Sequence, residues 1–329
     1  MSAPSVLPAT PAPESFVMLL IPQFTMMSFT SAIEPLRIAN RMAGRELYRW
    51  RVVSKDGRPV RASNGVEVAV DAAIGEIDLG ERPPSIVVCS GLGGERYDDK
   101  EVLAWLRWAD RRGAVLGALC TGAHILARAG LLDGHRCTIH WENMPGLIEA
   151  FPELDVAADL YTLDATRFTC SGGTAPLDLM LHKISTTHGE ELATRVSEQC
   201  LLDRIRSARD RQRMPVRVRL GVHHPKLILA LELMEANIEE PLGQEHLASY
   251  VGMSRRQLER LFRKHLGRTP AQYYLELRLE RARHLLYQTD LPIMSIAVAC
   301  GFVSASHFST CYRQMYGRTP RGERLGTAA

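Results

Sequence analysis

Residues 247–270 read LASYVGMSRRQLERLFRKHLGRTP, and residues 296–320 read IAVACGFVSASHFSTCYRQMYGRTP. Gly267-Arg268-Thr269-Pro270 returns fifty positions later as Gly317-Arg318-Thr319-Pro320. Ser254, Phe262 and Arg263 align with Ser304, Tyr312 and Arg313 at the same offset, and Gly252 aligns with Gly301 after one extra turn residue. A repeat at fixed spacing marks one supersecondary unit used twice.

Each copy has the same layout. In the first, Leu247, Ala248 and Val251 give an apolar helical face, Gly252-Met253 a turn, and Ser254 an N-cap. Leu258, Leu261, Phe262 and Leu266 then recur at the spacing of one buried helix face. The opposite face carries Arg255, Arg256, Gln257, Arg260 and Arg263. In the second copy Ile296, Ala297 and Ala299 precede the turn Gly301-Phe302, Ser304 is the cap, and Phe308, Tyr312 and Tyr316 point inward. Its outward face holds Ser306, His307, Thr310 and Arg313. A short helix, a glycine turn and a polar-faced second helix make a helix-turn-helix.

The span from Pro270 to Gln288 is apolar at helical spacing through Tyr274, Leu277, Leu285 and Leu286. Nineteen residues of helix cover about 28 Å at ~1.5 Å per residue. One turn of B-DNA is about 34 Å, so a helix of this length suits two recognition helices in successive major grooves. Arginine forks fit guanine edges, which nominates Arg256 and Arg260 for base contact. Arg263, Lys264 and Arg313 fall to phosphate. Ser306 and Thr310 are left to read bases weakly in the second copy, with His307 nearby; Arg255 and Ser304 complete the DNA-binding candidates.

Charge agrees with this division. Residues 203–329 hold 21 Lys/Arg against 12 Asp/Glu, a surplus of nine; residues 1–202 hold 19 against 25, a deficit of six. One basic and one acidic part fit nucleic acid bound by only one of them. At 329 residues the chain is long enough for two cores. The expected division is a disordered tail (1–14), a sensing domain (15–203), a basic linker (204–225) and a DNA-binding domain (226–326). The linker is read from seven arginines between 204 and 219 with little apolar periodicity. Seven scattered cysteines without a C-x-x-C pair point to reduced thiols and a cytoplasmic protein, and no apolar run approaches the ~20 residues of a membrane span.

The stretches MSRRQLERLFRKHLGRTPAQYY, RLERARHLL and IAVACGFVSASHFSTCYRQMYGRTP resemble the AraC-type DNA-binding domain. The resemblance implies transcription regulation, usually activation, with double-stranded operator DNA and RNA polymerase as partners. Paired sites also fit a homodimer.

Strands and helices alternate in the first two hundred residues, the sign of an α/β, doubly wound, mostly parallel sheet. Strands are expected at Phe16–Ile21, Tyr48–Ser54, Ile86–Cys89 and Ala114–Leu119, with a hairpin at Val60–Val70 around Asn64-Gly65 and paired strands within Asp155–Cys170. Helices are expected at Ser31–Met42, Asp99–Arg112, His124–Leu132, after Ser171–Thr174, and at Glu190–Ile205. The loop Gly91–Gly94 is not G-x-G-x-x-G and lacks a phosphate-loop lysine, so no cofactor is expected, and no metal. As a strand end it still lines a crevice where such sheets bind ligands.

Cys120 sits where a strand turns into a helix, the position that exposes a nucleophile above a sheet. A helix N-terminus there would lower its pKa. Thr138-Ile139-His140-Trp141 is expected to end another strand and bring His140 near, with Glu34 as third group. Two readings stand: a catalytic Cys120, or a small capping residue in a ligand pocket. Ser171-Gly172-Gly173-Thr174 opens a helix whose amides suit a carboxylate.

The stretches SAIEPLRIANR, VVCSGLGG, GALCTGAHILARAGLLDGHRCTIHW and FTCSGGTAPLDLMLHKI resemble the class I glutamine amidotransferase-like superfamily, in its PfpI-like branch. Cys120 matches that family's elbow cysteine, Glu34 the acidic residue that contacts it, and His140 the histidine after the following strand. Fusion to an AraC-type domain resembles the GlxA-like regulators, where this fold is a sensor rather than an enzyme. Regulators resembling YRWRVVSKDGRPVRASNG and CSGGTAPLDLML imply catabolism of amino acids or methylated amines, such as glycine betaine or carnitine. For a quaternary amine, Trp141 supplies a cation–π face. The ligand-binding candidates are therefore Glu34, Gly91, Cys120, His140, Trp141, Ser171 and Gly172. A cysteine-dependent hydrolase or hydratase is the alternative; it needs a thiolate at Cys120 and an oxyanion site.

Overall fold

The computed structural model describes residues 12–326, so most of the expected tail lies outside the described residues. The chain divides into two compact units, Met1–Gln212 and Arg213–Ala329.

Among the described residues the first unit is built on nine strands: β1 (Glu14–Leu20), β2 (Tyr48–Ser54), β3 (Val60–Arg61), β4 (Glu67–Val68), β5 (Ala72–Ala73), β6 (Ser85–Cys89), β7 (Leu116–Leu119), β8 (Tyr161–Leu163) and β9 (Arg167–Cys170). Seven of them form one sheet in the order β5-β2-β1-β6-β7-β9-β8, parallel except for β8 against β9. β3 and β4 form the hairpin expected around Asn64-Gly65. The helices are α1 (Met26–Ala43), α2 (Lys100–Arg111), α3 (Gly122–Arg128), α4 (Met144–Ala150), α5 (Ala175–His188) and α6 (Glu190–Gln199).

The apolar runs in β1 and β6 follow from cover on both faces. Val17, Leu19, Ile21, Ile86 and Val88 pack on one side with α2 and α3 residues such as Val102, Leu106 and Ile125. Phe16, Met18, Leu20, Val87 and Cys89 pack on the other with Leu36 of α1 and Leu179 and Ile184 of α5. Each such large side chain contributes about 1.5–3 kcal/mol by leaving water.

Four local expectations change. α1 begins at Met26, not Ser31, and carries Pro35 in its interior. A proline reads as a first-turn signal, but burial of Ser28 and Phe29 extends the helix ahead of it. Residues 138–141 form no strand. Cys137 makes one parallel bridge to Val156, and the Thr138 N–H bonds the Thr169 hydroxyl at 2.6 Å. α6 stops at Gln199, six residues early, and Leu201 follows with φ 56°.

The fourth concerns the stretch 204–225, which is no free linker. Arg206 donates to buried Asp178 through its backbone N–H (2.7 Å), Nε (2.9 Å) and Nη2 (2.6 Å). Leu160 N–H bonds Ala208 O, and the Gln212 amide donates to Thr138 Oγ1, Ile139 O and Asp159 O at 2.8–3.0 Å. Residues 204–212 therefore belong to the first unit, while Val216 and Val222 are core residues of the second.

The second unit is helical: α7 (Val216–Leu220), α8 (Pro225–Ala236), α9 (Gln244–Tyr250), α10 (Arg255–Leu266), α11 (Pro270–Gln288), α12 (Ile293–Ala299), α13 (Ala305–Tyr316) and α14 (Pro320–Arg324). It has two cores. α8, α9 and α10 close the first, and α12 and α13 the second. α11 serves both, giving Tyr273 and Tyr274 to one and Leu279, Ala282, Leu285 and Leu286 to the other.

Candidate nucleic-acid interface and ligand crevice

The repeated G-R-T-P is a helix stop followed by a helix start. Gly267 (φ 69°) and Gly317 (φ 73°) close α10 and α13 in the left-handed region, which costs glycine no Cβ clash. Thr269 and Thr319 then accept from Gln272 N–H and Gly322 N–H, and a proline takes the first helical position of α11 and α14. Ser254 caps α10 in a reciprocal box with Gln257, and Ser304 caps α13 through His307 N–H.

Leu258 and Phe262 of α10, and Phe308 and Tyr312 of α13, are buried as their spacing requires. Arg255, Arg256, Arg260, Arg263 and Lys264 all lie exposed on α10. Arg255 is held by Glu259 at 3.2 Å; among the described residues Arg256, Arg260 and Arg263 have no acidic partner. On α13, Ser306, His307, Thr310 and Arg313 are exposed. The Ser304 oxygen is occupied as a cap, Thr310 Oγ1 donates to Ser306 O (2.9 Å), and His307 Nε2 lies 3.3 Å from Cys311 Sγ. The second copy thus offers shorter and more self-occupied readers than the first.

Sequence reasoning assigned no role to Arg278, although it opens the quoted stretch RLERARHLL. Its guanidinium lies 4.0 Å from the Phe302 ring centroid and donates to Cys300 O and Gly301 O, both at 2.7 Å. It ties the connecting helix to the turn of the second helix-turn-helix.

In the first unit the chain passes from β1 to β2 on one side and returns to β6 on the other, so the sheet's switch point lies between β1 and β6. Phe24 bridges Gly91 there, beyond the carboxyl ends of both strands. A Cβ on Gly91 would meet Gln23 O at 2.3 Å, so only glycine lets the two loops close. β7 ends beside them at Cys120, which has φ 58°, the strained turn expected of an elbow. Its N–H bonds Cys170 O (2.9 Å), and Thr25 Oγ1 donates to its Sγ at 3.6 Å. Thr121 Oγ1 lies 2.6 Å from Gly91 O and 3.0 Å from Ser90 Oγ. Gly172 covers the thiol: a Cβ there would come within 3.1 Å of Sγ and 2.9 Å of the Cys120 Cβ.

Burial pushes the Cys120 thiol up, against the smaller pull of Thr25 and the Thr121 amide; the Glu142 carboxylate adds to the rise. The expected depression toward thiolate is therefore reversed. The following helix, α3, has only seven residues, and its dipole is outweighed by desolvation. Glu34 is not at the thiol. It pairs with Arg37 at 2.7 Å on the exposed side of α1, and its charge acts on Cys200. The acidic group that reaches Cys120 is Glu142, whose carboxylate is 3.8 Å from His140 Nδ1, with Trp141 packed 5.6 Å from the His140 ring. Ser171 N–H is taken by Leu160 O, which removes it from the amides open to a carboxylate. Thr25 and Glu142 come from segments with no motif; only the folded sheet brings them to Cys120.

A separate depression of about 870 Å³ is lined by Arg136, Tyr161, His182, Glu190 and Arg206, and none of Cys120, His140 or Gly172 lines it. Among the described residues no group of three or more His, Cys, Asp or Glu is placed to hold a metal ion. No helix of the described residues is long and apolar enough to cross a membrane.

Two family models match the chain: the DJ-1/PfpI family over residues 15–185 and a helix-turn-helix domain over residues 247–325. The HTH-type transcriptional regulator GbdR of Pseudomonas aeruginosa is 49% identical over 98% of this chain and 88% of its own. The HTH-type transcriptional regulator GlxA of Rhizobium meliloti is 41% identical over 92% of this chain and 93% of its own. A crystal structure of an AraC family transcriptional regulator from Pseudomonas putida covers 57% of this chain and all of that one, with 30% identity and a TM-score of 0.51. GbdR and GlxA, which match across both units, carry the names of regulators, not of enzymes. The chain belongs to the HTH-type transcriptional regulators in which a DJ-1/PfpI domain is joined to an AraC-type DNA-binding domain.

Proposed function

We propose that the first unit is the sensor and the second the DNA reader of a ligand-responsive activator of catabolic genes. The observation that carries the sensor reading is Cys120: an elbow cysteine kept as a buried neutral thiol under Gly172. Nucleophilic chemistry needs the opposite, an exposed thiolate. The effector binds over the carboxyl ends of β1, β6 and β7, against Gly91, Cys120, His140, Trp141 and Gly172. Its class is an amino acid or a methylated amine of the glycine betaine or carnitine type. The Trp141 ring suits the cationic end, and the start of α5 suits the carboxylate.

On DNA, Arg256 and Arg260 meet base edges, with Ser306, His307 and Thr310 as the weaker readers of the second copy. Arg255, Arg263, Lys264 and Arg313 hold phosphate. A homodimer and contact with RNA polymerase complete the proposal.

The test is a thermal-shift screen of amino acids, betaines, carnitine and polyamines on the wild type and on Cys120→Ala. A ligand at a hundredfold excess over Kd stabilises by ~2.7 kcal/mol. The sensor reading expects one compound to shift both proteins and to be recovered intact. Consumption by the wild type and not by Cys120→Ala would establish the hydrolase or hydratase instead.

A further inference from the structure

The two helix-turn-helix copies differ by one residue in the turn. The first runs Gly252-Met253-Ser254, the second Gly301-Phe302-Val303-Ser304. Met253 packs against the first core, and Phe302, 2% exposed, does the same for the second. The extra residue is therefore Val303. It is 95% exposed, and it immediately precedes the cap of α13.

Scattered exposed valines are ordinary. Position sets this one apart. A recognition helix meets base edges with its N-terminal residues. The polar groups around that end are largely engaged within the helix: Ser304 as cap, Thr310 with Ser306 O, His307 with Cys311. An apolar side chain projecting there has one complementary feature in the major groove, the thymine C5-methyl group.

We propose that Val303 is a specificity-determining residue that packs on a thymine methyl in the half-site read by the second copy. This rests on the DNA-binding reading of the second unit. The inserted residue gives the arginine-poor copy a base preference that its polar side chains do not supply.

The experiment uses the full-length protein and a duplex that it selects from a randomised DNA pool. Each thymine of that duplex is replaced singly by deoxyuridine, which removes only the methyl. The wild type should bind about fourfold more weakly at one or two positions, the equivalent of ~0.8 kcal/mol for one buried methyl. Val303→Ser should bind the thymine and uracil duplexes alike, and Val303→Thr, which keeps a methyl, should recover part of the preference. Unchanged melting of both variants would separate this from a folding defect. Equal uracil effects in wild type and Val303→Ser, or no uracil effect anywhere, would overturn the proposal while leaving DNA binding intact. Failure to select any duplex would overturn the DNA-binding reading and the proposal together.

Discussion

Asp178→Ala tests whether residues 204–212 are part of the first unit. The Asp178 side chain is 2% exposed and accepts three charge-assisted bonds from Arg206, at 2.6–2.9 Å. Removing one partner of a buried ion pair costs about 3–5 kcal/mol, chiefly through the charge left behind. Here that charge is Arg206, which is 33% exposed and can rehydrate, so we expect about 2–3 kcal/mol. For a unit of this size about 2–4 °C of Tm accompanies each kcal/mol, giving a drop of about 4–12 °C. All four tryptophans, 50, 105, 108 and 141, lie in the first unit, so intrinsic fluorescence follows its unfolding alone. The control is Glu34→Ala without ligand. Glu34 pairs with Arg37 at 2.7 Å like the buried pair, but it is 51% exposed, and a surface pair is worth about 0–1 kcal/mol. Trypsin gives a second readout, because Arg204, Arg206, Arg209 and Arg211 should become cleavable once the segment lifts. Equal Tm losses in the two variants, with an unchanged tryptic pattern, would refute the docked segment.

Arg260→Ala should weaken DNA binding by about 1–3 kcal/mol and relax preference at one base pair, whereas Arg263→Ala should weaken all sequences alike and lower the salt slope by about one. Selection and salt titration on both variants distinguish the roles, and identical profiles would refute the assignment. His124 is buried, and burial, helped by the Arg128 charge, pushes its pKa from 6.5 to about 4. Between those values the unfolded chain takes up a proton that the folded unit refuses, so stability falls as pH drops from about 6.5 to about 4. Urea midpoints read by fluorescence should show this slope. His124→Leu should flatten it, leaving the part owed to His188, which burial also lowers; an unchanged slope would refute the buried-neutral reading.

What could be read from the chain depended on how local each signal was. The helix-turn-helix pair was legible because its signals are neighbours: a glycine turn and a serine cap within four residues, a repeated G-R-T-P, and buried positions at helical spacing. The 19-residue reach of α11 followed from Pro270 at its start and from Tyr274, Leu277, Leu285 and Leu286 at helical spacing along it. The sheet was legible for the same reason, since alternate residues of Phe16–Leu20 fill its two opposite faces. The crevice was legible only at its glycines and at Cys120. Thr25 and Glu142 act on Cys120 from 95 residues before it and 22 residues after it, with no pattern to mark them. Glu34 shows the converse: a matching position on α1 did not place its carboxylate at the thiol, because it lies on the exposed face of that helix, where it pairs with Arg37.

The sign of the Cys120 pKa is the most instructive case. A helix start argues for thiolate when only the nearest residues are considered. The outcome is set instead by how much water the fold leaves, and Gly172, fifty-two residues on, removes it by closing over the sulfur. The same closure places the β9–α5 turn directly over the sulfur. That turn leads into α5, which carries Asp178 and through it the Arg206 segment that ends the unit at Gln212. Gly172, Asp178 and Arg206 thus lie along one continuous run of structure, from the cover of the Cys120 thiol to the end of the first unit at Gln212.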